Sequence, residues 1–356
     1  MSHKILNKEF GSDFHCVEFD NGNLKKTLPN NAEYFGCGRY AINYLISHYF
    51  DLGLWKNIYM PEYFCYDVID SIKKTGINVK YYSDYPLADD NEVISNLFFE
   101  KGDVLFRMNY FGARSFRDNS EINIPVIEDH SHNLLSNWAL NSNADWCVGS
   151  LRKTLPIPDG GILWSPKDCP GFAPVVLTNE HKLLSKTRFE AMLLKKKYLK
   201  NDFKGDKIEF LSKFKETEIS FAINQISGIS DISRKIIQEI PKKIDSSKRK
   251  NLDYIISLLD LTNLETVNMN SNENPFSLVL LFKSKENRDT IKEFLVSNCI
   301  YPAILWVIEN INANNEIIKF SERMLSLHID FRYTAKDMIR MSEIINKGIQ
   351  GLDNDI

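Results

Sequence analysis

Two compact apolar runs between residues 103 and 128 decide the fold class: Asp103–Met108 (DVLFRM) and 125–128 (PVIE). Both runs are short, bounded by polar residues and almost continuously apolar, which is typical of strands that are buried on both faces. Strands of this kind occur where helices cover a parallel sheet from both sides. The pair therefore predicts a mostly parallel sheet between layers of helices.

Helix-like and strand-like segments alternate over the first 165 residues, on both sides of residues 103–128. The predicted helices are 40–50 and 66–74, and the further predicted strands are 57–60, Asn78–Tyr82, 147–149 and Gly161–Trp164. Alternation of this kind indicates an α/β fold with a large, mostly parallel central sheet flanked by helices.

The alternation of helix-like and strand-like segments ends after residue 174. Residues 180–260 are rich in Lys, Glu, Leu and Ile and predict long helices, among which the basic stretch 181–200 is expected to be a solvated helix face. The sequence from residue 275 onward predicts a small α+β unit, with strands at 276–282, 303–305 and 325–328 and helices at 286–296 and 334–347. We therefore expect a large cofactor-binding domain over 1–245 and a small C-terminal α+β domain over 246–356.

Composition narrows the class of protein. Of the 356 residues, 43% are hydrophobic, which is enough for a packed core, and the formal net charge of -3 argues against nucleic acid as a partner. No apolar run approaches the roughly 18–20 residues of a membrane span, and the first twenty residues lack the apolar core of a signal peptide. The six cysteines form no CxxC pair, so we expect free thiols and a cytoplasmic protein without a membrane association.

Two glycines and a basic residue stand directly before the first predicted helix. Gly36, Gly38 and Arg39 precede the stretch 40–50. Glycines at a helix start let backbone N–H groups approach an anion, and the helix dipole favours a phosphate there. An ordinary turn would have the same composition, so a phosphate site is one of two interpretations.

A second polar cluster follows a buried strand, at Val126-Ile127-Glu128-Asp129-His130-Ser131-His132. Catalytic groups gather at the carboxyl ends of strands in open α/β sheets. Asp129, His130 and His132 could also contribute metal ligands, but the sequence offers no further ligand cluster, and we expect no metal. A purely structural polar strand end is the remaining alternative.

Two further strand ends carry basic residues. Lys153 follows the predicted strand 147–149 and could be a nucleophilic amine, with Ser150 beside it to meet phosphate oxygens, or simply a solvated lysine. Near the C-terminus, Arg332 could bind a carboxylate or phosphate, or could pair with Asp330 or Asp337.

Taken in order, these segments resemble the DegT/DnrJ/EryC1/StrS family of pyridoxal-phosphate (PLP) enzymes, in the fold-type I aspartate aminotransferase superfamily. The resemblance runs from residue 34 to 347 and is strongest at 126–132 and from Lys153 to Gly161, where the step from the lysine to the first glycine of the pair matches the family spacing. Residues 109–112 (NYFG) and 300–303 (IYPA) are also similar to family motifs.

The resemblance implies roles for three catalytic residues. Lys153 would bind the cofactor covalently and move protons as a general base. Asp129 would lie against the pyridine nitrogen and keep it protonated, and His132 would lie near the ring hydroxyl.

It also implies which residues surround the cofactor and the substrate. Gly38, Arg39 and Ser150 would hold the phosphate, and Phe64 or Cys65 would cover the ring face. The residues on the substrate side would be Tyr110, Tyr301 and Arg332.

By resemblance, the protein would be an aminotransferase that moves an amino group from a donor such as glutamate to a keto acceptor, a nucleotide-linked ketosugar in surface-polysaccharide biosynthesis. It would be a homodimer with the active site at the subunit interface. Another PLP-dependent reaction (dehydration, decarboxylation or aldol cleavage) and a catalytically silent binding protein are the alternatives. Some family members that dehydrate sugars have histidine in place of the lysine, so Lys153 favours transamination.

Overall fold

The structure of the protein is a computed structural model, which describes residues 8–18, 28–29, 31–169, 171–223, 225–239, 246–267, 270–310 and 312–354. The helices of this part of the chain are α1 Gly38–Asp51, α2 Tyr66–Lys73, α3 Asp90–Ser95, α4 Asn137–Asn141, α5 Asn179–Leu199, α6 Lys207–Ile223, α7 Asp231–Glu239, α8 Ser246–Ile256, α9 Lys285–Ser297, α10 Asn315–Arg323 and α11 Ala335–Asn354. The strands are β1 Phe10–Gly11, β2 Glu33–Phe35, β3 Asn57–Pro61, β4 Asn78–Tyr82, β5 Asp103–Met108, β6 Val126–Asp129, β7 Trp146–Ser150, β8 Gly161–Trp164, β9 Glu265–Thr266, β10 Leu278–Leu281, β11 Ile300–Tyr301 and β12 Met324–Leu327.

The centre of the fold is a seven-stranded sheet in the order β2-β8-β7-β6-β5-β3-β4. The strands from β4 to β7 pair in parallel, and β8 pairs antiparallel with both β7 and β2. Every residue of β5, β6, β7 and β8 is buried, as their continuous apolar runs predict. The predicted α/β fold class with a mostly parallel central sheet is confirmed.

The register of the parallel strands brings three carboxyl ends together at one edge of the sheet. Met108 of β5 is opposite Asp129 of β6, and Asp129 is in turn opposite Val148 of β7. Side chains that follow these strands are therefore neighbours in space although they are 20 or more residues apart in sequence.

The C-terminal part contains a second sheet in the antiparallel order β12-β10-β9, and β11 pairs in parallel with β1 from the other end of the chain. The strand predicted at 303–305 is wrong: Ala303 makes only an isolated bridge to Ser326. Pro302 lacks the N–H that would continue the ladder from β11, so the strand stops before it. The predicted domain boundary at 245/246 adjoins residues 240–245, which lie outside the described residues, and the division stays a prediction.

The helix that carries the basic stretch is more buried than its composition suggests. Arg188 and Lys195 of α5 are both almost fully buried. The Lys195 ammonium donates to the backbone oxygen of Asp13 at 2.6 Å, and burial lowers the pKa of Lys195 to about 8. The expectation of a wholly solvated face is therefore wrong at these two positions, where Asp13 of the N-terminal segment is a partner of both side chains and Thr217 of α6 is a further partner of Arg188.

All six cysteines are free, as expected from their spacing. Among the described helices, none is both long and apolar enough to cross a membrane.

Candidate active site

The carboxylate predicted to be catalytic lies at the end of β6, where Asp129 is 4% exposed. Its Oδ1 accepts the backbone N–H of Ser131 at 2.7 Å. The Ser131 hydroxyl accepts the backbone N–H of Ser150 at 2.8 Å. These bonds join the ends of β6 and β7 and fix Asp129 beside the start of the Lys153 turn.

The N-terminus of α1 lies against the end of β7. A Cβ atom added at Gly38 would be 3.1 Å from the Cβ of Ser150, so only glycine permits this approach without a shift of the neighbour. Cys37, at the N-cap position, provides no side-chain cap. The first N–H groups of a helix have no intrahelical acceptor, and together with the helix dipole they suit an anion beside the Ser150 hydroxyl.

The predicted glycine pair, Gly160 and Gly161, allows a second close contact, between the start of β8 and the residue before α1. A Cβ at Gly161 would lie 2.2 Å from the backbone oxygen of Cys37, which excludes any larger residue there. The preceding Asp159 is fully buried and accepts hydrogen bonds from Ser230 and from the ring of His181 at 2.9 Å. The pair therefore seats β8 against the start of α1, and Asp159 holds the turn in place.

Lys153 ends a short 3-10 turn, Leu151–Lys153, directly after β7. Its ammonium lies 5.7 Å from the ring centroid of Trp306 and is close enough to His132 to influence the protonation of that ring. The structure thus brings Lys153, His132 and the end of β6 together, as the sequence predicts.

His132 is 1% exposed and its two ring nitrogens differ. Nδ1 accepts the backbone N–H of Phe111 at 3.0 Å, so the ring proton of the neutral imidazole belongs on Nε2. Nε2 is buried and has no partner among the described residues. Burial, and then the charge of Lys153, hold the pKa of His132 well below its usual 6.5. The ring is therefore a neutral donor in need of an acceptor.

Trp306 is a site residue that the sequence analysis did not single out. Its ring lies 5.6 Å from the ring of His132 with only 20° between the planes, and 5.5 Å from the ring of Phe64. The ring of Phe276 also stacks on that of His132, at 4.4 Å. The segment after β11 was visible in the sequence only as a short apolar run, which gave no sign that it reaches Lys153.

The groups gathered here fit a cofactor that combines a phosphate with a hydroxylated nitrogen heterocycle. The contact between Gly38 and Ser150 at the N-terminus of α1 suits the phosphate. The unpartnered Nε2 of His132 suits a ring oxygen, and the Asp129 carboxylate suits a protonated ring nitrogen. The Lys153 amine stands beside them for a covalent bond.

Three other predicted cofactor residues have different surroundings. The Arg39 side chain lines a separate cavity with Tyr40 and Asn43, although its backbone N–H belongs to the first turn of α1. Phe64 is buried against Phe106 and Trp306. Cys65 is the N-cap residue of α2 and is partly buried.

The residues predicted on the substrate side each have a partner within the protein. The hydroxyl of Tyr110 donates to the backbone oxygen of Tyr63 at 2.8 Å, and that of Tyr301 accepts from Lys207 at 3.0 Å. Arg332 makes a two-bond ion pair with Asp330. Their assignment to a substrate stays a prediction.

The histidines and the aspartate considered as metal ligands do not form one group. In the described part of the chain, the residues that come close enough to share an ion are Glu128, His130 and Cys147. His130 Nε2 is 3.1 Å from the Glu128 carboxylate, which also accepts from Ser142 at 2.6 Å. Mutual hydrogen bonds thus account for this buried cluster on their own.

The chain shares its fold with solved structures of fold-type I PLP-dependent aminotransferases. Solved structures of this class match the chain over about 90% of its length. No protein-family model matches the sequence, and no curated protein does.

Three of the similar structures have informative descriptions. Spr1654 of Streptococcus pneumoniae, described as a candidate sugar aminotransferase in its PLP form, matches with a TM-score of 0.62 and 11% identity over 90% of this chain and 87% of its own. NtdA of Bacillus subtilis with bound PMP matches with a TM-score of 0.63 and 13% sequence identity, over 90% of this chain and 73% of its own. DesI in the presence of its TDP-sugar product matches with a TM-score of 0.58 and 13% sequence identity, over 91% of this chain and 83% of its own. These identities show a shared fold, and the fold expected from the sequence resemblance is confirmed.

Proposed function

We propose that the protein is a PLP-dependent aminotransferase. One observation carries the proposal: the amine of Lys153, the buried carboxylate of Asp129 and the unpartnered donor of His132 meet at the carboxyl ends of β6 and β7. A fold alone does not determine a reaction, whereas this set of groups matches one cofactor. The PLP-bound or PMP-bound state of two similar structures adds support.

When bound, PLP supplies an electron sink that stabilises a carbanion next to the substrate nitrogen. Asp129 keeps the proton on the ring nitrogen through an ionic hydrogen bond, which needs the low water content that its 4% exposure provides. His132, neutral because burial and Lys153 lower its pKa, donates from Nε2 without adding a second positive charge. The backbone of Gly38 and Arg39 and the Ser150 hydroxyl hold the phosphate at the start of α1.

Lys153 has two tasks in this proposal. Its amine would hold the cofactor, and it would act as a general base for the α-proton of the amino donor. Lys153 lies on a turn after β7, is half-buried and has its ammonium over the ring of Trp306, a position compatible with both tasks.

The donor in the proposal is an amino acid such as glutamate, and the acceptor is a nucleotide-linked ketosugar used in surface-polysaccharide biosynthesis. The TDP-sugar product in the DesI structure supports this acceptor class by analogy of fold. We further propose a cytoplasmic homodimer with its active site at the subunit interface, and a division into domains 1–245 and 246–356.

The test follows the amino group. Wild-type protein loaded with PLP is mixed with glutamate, and conversion of the cofactor to its pyridoxamine form is followed by absorbance in a single turnover. Asp129→Asn should slow conversion by orders of magnitude, because the ring nitrogen loses its ionic partner. Asp253→Asn, which changes an exposed carboxylate on α8, is the matched control and should convert at the wild-type rate. Conversion at equal rates in all three proteins contradicts the assignment of Asp129.

A further inference from the structure

A cavity of about 380 Å³ lies between α1, the C-terminal end of α2 and the end of α6. Its described lining is polar on the α1 and α2 sides and apolar on the α6 side, where Phe221 and Ile226 form the wall. The polar lining residues are Arg39, Tyr40, Asn43, Ser47, Ser71, Lys74 and Thr75. No role in the proposed transamination uses these side chains.

The cavity has two cationic side chains and, among the described residues that line it, no carboxylate. Arg39 Nε and Nη1 are buried and have no hydrogen-bond partner in the described part of the chain. The charge of Arg39 contributes to lowering the pKa of Glu218. That carboxylate already forms ion pairs with Arg152 at 2.6 Å and with Arg188 at 3.5 Å. The positive charge in the cavity therefore lacks a protein counterpart.

Neutral polar groups in the same cavity are also unpartnered. Tyr40 is 2% exposed, and its hydroxyl has no partner among the described residues. Asn43 donates its amide to the Ser71 hydroxyl, but its side-chain oxygen has no donor there. Buried polar groups in proteins are nearly always hydrogen-bonded, to protein, water or a ligand, so several such groups around one cavity give it the hydrogen-bonding capacity to bind a polar ligand.

We propose that this cavity binds a phosphate-bearing small molecule. The guanidinium of Arg39 offers buried N–H donors at Nε and Nη1 for charge-assisted hydrogen bonds to phosphate oxygens, while Lys74 adds a point charge and Tyr40 a hydroxyl donor. The apolar wall of Phe221 and Ile226 leaves room for the organic part of the molecule. The site is separate from the one that holds Lys153, and the inference does not depend on the proposed function.

Two neighbouring lysines allow a matched test with inorganic phosphate as the probe. Lys74 lines the cavity, whereas Lys73 does not and pairs with Asp70 at 3.3 Å. Phosphate binding is measured by isothermal titration on protein saturated with PLP. We expect Lys74→Gln to weaken phosphate binding about tenfold and Lys73→Gln to change it less than about twofold, because only Lys74 lines the cavity. Both variants remove one charge from the same helix end, so a general charge effect is matched between them. Equal losses in the two variants would overturn the proposal, since they would indicate a general charge effect.

Two further variants separate this cavity from the cofactor site. Arg39→Gln should abolish measurable phosphate binding, and Tyr40→Phe should weaken it severalfold while removing a single oxygen atom. The absorbance of bound PLP is recorded in every variant as a separate readout. Phosphate binding that is saturable without PLP but disappears once PLP is reduced onto the protein would mean that phosphate occupies the cofactor site, and would overturn the proposal. Absence of PLP binding would contradict the proposed function but leave the comparison of the two lysines intact.

Discussion

The ion pair between Arg332 and Asp330 distinguishes a structural role of Arg332 from a substrate-binding one. Both side chains are 4% exposed, and they form a fork in which Nε donates to Oδ1 and Nη2 to Oδ2, each at 2.8 Å. Burial alone would raise the pKa of Asp330, but the charge and hydrogen bonds of Arg332 hold it below its usual range. The pair is therefore fully charged and nearly dry.

Replacing the carboxylate by an amide, Asp330→Asn, leaves the Arg332 charge buried without its counterion. The acceptors that remain to the guanidinium are the single amide oxygen at position 330 and the backbone oxygens of Ser12 and Asp13, both at 3.4 Å. Breaking a buried pair by removing the charge of one partner costs about 3–5 kcal/mol, because the other charge is left buried without compensation. We expect the free energy of unfolding to fall by about 3–5 kcal/mol.

Urea unfolding of wild type, Asp330→Asn and the exposed control Asp253→Asn measures this loss directly. Asp253 pairs with Arg249 across one helical turn with 63% of its side chain exposed, so its replacement should cost less than about 0.5 kcal/mol. A loss below about 1 kcal/mol for Asp330→Asn, together with a raised KM for the acceptor, would refute the structural role and favour Arg332 as a substrate ligand.

Three further predictions test other parts of the structure. Gly38→Ala should weaken PLP binding at least tenfold in an absorbance titration because its Cβ would meet Ser150 at 3.1 Å, whereas Gly171→Ala, which meets nothing within 4 Å, should bind normally; equal affinities would contradict the phosphate site. Burial, and then Arg332, lower the pKa of His328 to about 4, so the unfolded chain binds the extra proton first as pH falls from 6.5. The contribution of His328 to stability should therefore be constant above pH 6.5 and fall by about 3 kcal/mol by pH 4, at about 1.4 kcal/mol per pKa unit, with a smaller fall in His328→Gln; identical urea profiles would show that His328 is not responsible. Trp306→Ala should weaken PLP binding severalfold and Trp306→Phe should restore it, because an aromatic face beside Lys153 is the feature lost; unchanged binding in Trp306→Ala would place the indole outside the site.

Strand patterns in this chain were predictable because they depend on local sequence. The continuous apolar runs of β5 and β8 have the predicted bounds, Asp103–Met108 and Gly161–Trp164. The meeting of Asp129 with the Lys153 turn was also predictable, since both follow strands of one parallel sheet. Local periodicity and topology were sufficient for this half of the site.

Contacts between distant segments were not predictable in the same way. Trp306 reaches His132 from 174 residues away, and Lys195 is buried through a partner 182 residues away. The amino-acid composition of a helix indicates only the average exposure of its surface. It does not show that a distant segment covers one particular lysine. The cavity that Arg39 lines is likewise formed by α1 and α2 together with α6, which is distant from them in sequence.

The most direct test of the central claim is to locate the cofactor. PLP-loaded protein is reduced with borohydride, digested and mapped by mass spectrometry, with Lys153→Ala treated in parallel. A cofactor-modified peptide that contains Lys153, and that is absent from the variant together with the visible absorbance of bound PLP, is the predicted result. Modification of another lysine, or none at all in wild type, would contradict the proposal that this site holds PLP through Lys153.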